Sequence, residues 1–193
     1  MFKFKAITVV AAVALLSFTL PFAISWKSDN VHSRFGFSVK HMGIATFNGS
    51  FKDYKISISH NAEDFSDAVV EMTAEVKSIN TDNEMRDKHL QSADFFDAAQ
   101  FPQLTFKSTS FKKVSGSNYK VAGDLTLHGV TKKVELDAVL VGKAVHPQSK
   151  KDMVGFKVSG TIKRSDFGIA TGFPAAMLAD EVALAGDFEF IKD

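Results

Sequence analysis

The chain has 193 residues, a formal net charge of +1 and no cysteine, which excludes disulfide staples, thiolate nucleophiles and thiolate metal ligands. Its 23 basic residues are matched by 22 acidic ones, so it lacks the positive surface that would neutralise phosphates, and nucleic acid is excluded as a partner. Nineteen phenylalanines stand against two tyrosines and one tryptophan, a balance that fills or lines apolar space without offering polar handles.

Lys3 and Lys5 open the chain, an apolar run follows from Ala6 to Ala23, and Ala23-Ile24-Ser25 supplies a small-x-small pattern. This basic, apolar, small order is that of a secretory signal. The expectation is that residues 1–25 are cleaved near Ser25 and that the mature protein is periplasmic, with no stable membrane insertion after cleavage. An uncleaved anchor is the alternative, because the apolar run is just long enough to span a bilayer; Pro21 and the small residues near Ser25 suit a cleavage site better. Residues 26–193 form one domain, large enough for a real core. Without Lys3 and Lys5 the 23 basic and 22 acidic residues become 21 and 22, a net charge of −1.

From His32 onward, period-two alternation dominates. Phe35, Phe37 and Val39 share one face, opposite Arg34, Ser38 and Lys40. After a turn at Met42-Gly43, Phe47, Gly49 and Phe51 continue the inward set, with Ile56 and Ile58 extending it. Val70, Met72, Ala74 and Val76 alternate with Glu71, Thr73, Glu75 and Lys77. Then Thr81 to Pro102, TDNEMRDKHLQSADFFDAAQFP, breaks the alternation. Thr81 followed by Glu84 reads as a capping box, which predicts a short helix over Asp82 to Leu90. Asp94 is expected to cap a second helical turn through Phe95, Phe96 and Ala99, ended by Pro102.

Leu104 and Phe106 resume the strand pattern. Tyr119, Val121, Gly123, Leu125 and Leu127 follow after the turn Ser115-Gly116-Ser117-Asn118, and Val134, Leu136, Ala138 and Leu140 after His128-Gly129. Val154, Phe156, Val158, Gly160 and Ile162 form the next inward set, and Val182, Leu184, Gly186, Phe188 and Phe190 the last. About eight strands, each with one apolar and one polar face, predict an all-β antiparallel sheet closed into a barrel with a short helical insert. A two-sheet sandwich is the competing architecture.

The blocks HSRFGFSVKH with ATFNGSF, RDKHLQSADFFDAAQFP, GDLTLHGVTKKVEL and TIKRSDFGI occur in the order of the motifs of the YceI-like polyisoprenoid-binding family, which the chain resembles from Trp26 to its end. His32-Ser33, His41, Gly49, Phe51, Arg86-Asp87, His89-Leu90, Gly123, Leu125, Gly129, Asp166 and Phe167 stand at matching positions. Trp26 departs in lying close to the leader, which puts its anchoring role in doubt. The resemblance implies an eight-stranded lipocalin-like barrel that holds a long isoprenoid chain.

An eight-stranded barrel either packs its interior or holds one small ligand, and alternating Phe and Val look the same in both cases. The resemblance favours the cavity. It makes Phe35, Phe37, Val39, Phe47, Phe51, Val70, Met72, Val76, Leu104, Phe106, Val121, Leu125, Leu127, Leu136, Leu140, Phe156, Val158, Ile162, Leu184 and Phe188 the lipid-contacting set. Gly160 and Gly186 on the inward register are expected to leave space, although strand glycines also mark bends. His41, Arg86, Asp87 and His89 are the polar candidates, either as headgroup contacts at the barrel mouth or as bonds tying the insert to the barrel. Since helical neighbours diverge by about 100°, one of Arg86 and Asp87 is expected to turn towards protein, and Arg86, Asp87 and His89 are expected to be mainly structural, tying the insert to the barrel. His32, His41, His89, His128 and His146 show no metal-ligand spacing, so neither a metal nor a cofactor is expected. Ser33, Ser165 and Asp166 lack a nucleophile elbow or oxyanion signature, which argues against a hydrolase. The leading reading is a non-enzymatic carrier, scavenger or store of a long-chain isoprenoid lipid or quinone. An enzyme acting on an apolar substrate inside the barrel is the alternative. The oligomeric state stays open, a homodimer included.

Overall fold

The computed structural model describes residues 24–193; the leader expected over residues 1–25 lies, but for Ile24 and Ser25, outside them. Those two residues already belong to the first strand, pairing with His60 and Ser59. Strand segments run over Ile24–Ser28 (β1), Arg34–His41 (β2), Ala45–Phe51 (β3), Tyr54–His60 (β4), Val69–Glu75 (β5), Ile79–Asn80 (β6), Gln103–Ser115 (β7), Asn118–Leu127 (β8), Val130–Val145 (β9), Asp152–Lys163 (β10) and Leu178–Lys192 (β11). One helix, α1, spans Glu84–Leu90.

These eleven segments make eight staves, because the first three staves are interrupted. β1 and β2 form one, β3 and β4 the next, and β5 and β6 the third. The pairings Trp26↔Ile58 and Phe35↔Phe51 show β1–β2 and β3–β4 running side by side through the interruption. Antiparallel pairing then passes from β4 through β5, β7, β8, β9, β10 and β11, and β1 pairs with β11 (Trp26↔Lys192) to close the barrel. Closure leaves the ring without an exposed edge. The eight-stranded antiparallel barrel expected from alternation is therefore the fold, and the sandwich is not.

The wall splits at one end. Glu75 still faces Gln103, but β6 follows β3 (Ser50↔Asn80) instead of β7. The 81–102 insert sits where the stave and β7 part, at the same end as the 42–44 and 128–129 turns and the 164–177 loop. In both tight turns the two central residues have positive φ: Met42 51° with Gly43 70°, and His128 51° with Gly129 72°. This is the twist a two-residue hairpin favours. At Gly129 a side chain would also collide with the Phe101 ring.

Three sequence expectations change here. Val76 leaves the strand pattern, because Val76–Ser78 is a 3-10 turn. The helix starts later than Asp82: Asn83, not Thr81, is its N-cap, accepting from the Arg86 N–H at 3.0 Å. Thr81 is instead occupied by Asp87 and Arg86. The second helical turn through Phe95, Phe96 and Ala99 is a chain of tight turns, with Phe95 N–H on Ser92 and Phe101 N–H on Asp97 carbonyls.

The opposite end is shut by aromatic packing. Phe65, 1% exposed, drops from the 61–68 loop onto Phe156 edge-on at 5.4 Å and onto His60 at 4.2 Å. Trp26 Nε1–H donates to His60 Nε2 at 2.7 Å, and His60 Nδ1–H to the Ala62 carbonyl at 2.8 Å. That pair of bonds sets the histidine tautomer, and it leaves Trp26 firmly anchored.

Candidate functional site

Between the aromatic plug and the insert the barrel is hollow. The outer chamber, about 270 Å³, lies under the insert, and the inner one, about 100 Å³, lies deeper. Phe35, Leu125 and Leu184 line both and mark their junction. An apolar cavity of about 150 Å³ lined by Leu, Ile and Phe stays dry and takes up benzene, so the outer chamber is large enough to do the same for an apolar guest. The hollow also shows in the burial pattern. Phe35, Phe37, Met72, Leu136, Val158 and Leu184 face inward, yet each is only half-buried, because part of their surface borders empty space.

All residues expected at the lipid surface border one chamber or the other, except Val76 and Leu140. Val76 is buried at 1% within the 3-10 turn. Leu140 pairs with Phe156 just past the bulge at Gly155 and packs on the core beyond the inner chamber. Phe156 borders the inner chamber only at its floor, since Phe65, Phe111, Tyr119 and Phe190 surround its ring. The inward glycines do not leave space. A side chain at Gly49 would strike the Phe37 ring, one at Gly160 would strike Leu136, and one at Gly186 would strike Phe188. Glycine at these points lets a large neighbour lie flat against the wall, which makes room in the lumen indirectly.

The polar candidates separate by role. Asp87 does not border the cavity; its Oδ1 accepts from Thr81 N–H at 2.8 Å and Thr81 Oγ1 at 2.6 Å, tying the helix to the end of β6. Arg86 does both jobs. Its Nε donates to Thr81 Oγ1 at 2.8 Å and Nη2 to the Thr81 carbonyl at 2.7 Å, while its guanidinium lies 4.6 Å from the Phe47 ring centroid, on the outer chamber. His89, one helical turn on, also borders that chamber and packs edge-on against Phe95 at 4.9 Å. His41 stacks on Phe47 at 4.8 Å. These groups make a polar collar around an otherwise carbon-lined opening.

Arg164 is the site residue that sequence reasoning missed. It is 7% exposed and borders the outer chamber without facing a carboxylate. All five of its N–H groups are spent on carbonyls: Nε on Ala179, Nη1 on Ile169 and Ala170, and Nη2 on Phe173 and Leu178, at 2.6–3.2 Å. A buried guanidinium needs that satisfaction, and the result pins the 168–178 loop over the mouth. Beside it, the Ser165 hydroxyl and N–H donate to Asp180 and hold its carboxyl below the usual range. This engages Ser165 structurally, not as a nucleophile. Asp29, His32 and Glu189 bring potential metal-ligand atoms within 4.8 Å of one another on the outer wall, but His32 Nδ1 is already bonded to Asp29 at 2.8 Å. That bond lowers the Asp29 pKa and raises that of His32.

The chain is 40% identical to Protein YceI of Escherichia coli O157:H7 over 161 residues, spanning 82% of this chain and 83% of the relative. Its fold matches the crystal structure of the Campylobacter jejuni YceI protein with a TM-score of 0.72 and 34% identity, covering 93% and 99% of the two chains. It also matches a polyisoprenoid binding domain from Saccharophagus degradans with a TM-score of 0.67, covering 88% and 99%; at 14% identity that likeness speaks for the fold alone. With the model of the YceI-like domain matching residues 26–190, the chain belongs to the YceI-like family.

Proposed function

We propose that this protein is a periplasmic binding protein, not an enzyme, and that it holds the chain of a long apolar lipid, a polyisoprenoid or isoprenoid quinone, in the two chambers. The observation that carries the reading is the set of half-buried inward side chains around a carbon-lined hollow beneath the insert. Each CH₂ moved from water into it is worth about 0.8 kcal/mol. Losses of chain freedom and imperfect filling offset part of that, so binding is tight but tolerant of chain detail. The polyisoprenoid binding domain of the same fold supports the choice of lipid class.

Native mass spectrometry of the purified protein, followed by extraction and mass analysis of what it carries, tests the reading. One apolar chain per protein is the expected result. Folded protein that carries none, and takes up neither a long polyprenol nor a quinone when offered, would refute it.

A further inference from the structure

The mouth of the barrel is bounded by two uncharged stretches, Met42 to Asn48 (MGIATFN) and Thr171 to Met177 (TGFPAAM). They meet where Met42 N–H donates to the Met177 carbonyl at 2.8 Å. Ile44 is 88% exposed, Met42 58% and Met177 45%, and Met85 on the neighbouring helix is 81% exposed. Met42 holds a positive φ as the first central residue of the 41–44 turn, where asparagine or glycine fits better, so neither folding nor turn chemistry explains a thioether there. Exposed apolar groups gathered at one place mark a contact surface.

We infer that this rim docks on the surface of a lipid bilayer, so that an apolar chain passes between membrane and cavity without crossing water. The inference rests on the lipid-binding reading above. Three observations select a bilayer as the occupant. The rim is continuous with the opening of the outer chamber, since Met177, Phe47 and Phe173 belong to both. Four side chains on one turn, one helix and one loop fall short of the roughly 800 Å² per partner that a specific protein pair requires, whereas a bilayer accepts isolated apolar tips. The tips carry no charge, and the adjacent insert holds Asp82, Glu84, Asp87, Asp94 and Asp97 against Arg86 and Lys88. A neutral, zwitterionic surface is complementary to that pattern and an anionic one is not, so docking is driven by apolar burial and is little affected by salt.

The test is flotation of the purified protein with phosphatidylcholine vesicles, with phosphatidylglycerol vesicles as a second arm. Met42→Asn with Ile44→Asn suits the turn and removes the apolar tips; vesicle partitioning should fall about tenfold or more while the melting temperature holds. Val141→Asn with Val145→Asn, at two exposed positions of β9 away from the mouth, should leave it unchanged. Failure of the native protein to float with phosphatidylcholine, stronger flotation with phosphatidylglycerol, equal loss in the Val141/Val145 variant, or a solution dimer abolished by the Met42/Ile44 changes would each overturn the inference. Uptake of a long polyprenol delivered without vesicles is scored separately. Uptake without flotation refutes docking alone, and flotation without uptake refutes the lipid reading.

Discussion

At the closed end, Trp26, His60, Phe65, Phe111, Tyr119 and Phe156 interlock at centroid distances of 4.2–6.2 Å, with the 61–68 loop drawn over them by the Tyr119 hydroxyl on the Asp64 carbonyl at 2.8 Å. At the open end, Phe35, Phe37, Phe47, Phe51 and Phe96 surround space. The residue types are alike; the covering differs. A loop that sends one phenylalanine down the barrel axis converts alternation into a filled core. An insert that lies across the opening, held by Asp87 and Arg86, leaves the lumen beneath it empty. One end supplies stability, and that allows the other to stay hollow.

The largest test of this division is at Phe65. Phe65→Ala should cost about 3–5 kcal/mol, the usual penalty for emptying a packed aromatic site. Phe37→Ala, beside existing space, should cost clearly less in the same urea titration. Equal penalties would mean the two ends are packed alike. Arg164→Met should follow at about 3 kcal/mol, because it removes the donors of five carbonyls, those of Ile169 and Ala170 buried, and hydrogen exchange should show the 168–178 loop opening while the closed end stays protected. Asp87→Asn should cost about 1–3 kcal/mol by weakening charge-assisted bonds to Thr81, without altering which lipid is carried.

The smallest effect concerns acid. The Asp67 carboxylate accepts from the N–H groups of Ala62 and Asn61, which hold its pKa below the usual aspartate value. A depressed folded value means that its contribution is complete above the unfolded aspartate pKa and drains away as pH falls through the lower folded one. The 61–68 loop should therefore loosen in acid, seen as changed Trp26 fluorescence, and Asp67→Asn should remove that pH dependence. An unchanged acid transition in the variant would assign it to another carboxylate.

Much of this was legible in the sequence. Alternation from Phe35 to Phe190 identified the inward faces, and His128-Gly129 and Ser115 to Asn118 marked turns that the fold contains. Adjacency of Arg86 and Asp87 was enough to predict that one of them turns to protein; both bond Thr81. What escaped has physical causes. The breaks at 29–33, 52–53 and 76–78 leave the hydrophobic period almost undisturbed, so Val76 still read as strand. The acceptors of Arg164 are backbone carbonyls, which carry no sequence signature. Hollow and filled lumens use the same side chains, and Gly160 and Gly186, which suggested space, are covered by Leu136 and Phe188. His60 sits at a strand end, and its partner Trp26 lies 34 residues away on the neighbouring strand β1, a pairing that no local sequence pattern shows.

The central claim is that two connected chambers take up one apolar chain from the open end, and chain length tests it most directly. For the delipidated protein, polyprenol affinity should rise with each added isoprene unit until both chambers are full, and then level off. Leu184→Trp, which puts an indole at the junction of the chambers, should keep the affinity for short chains and bring the plateau to a shorter length. Affinity that ignores chain length, or a plateau that Leu184→Trp does not move, would contradict the account.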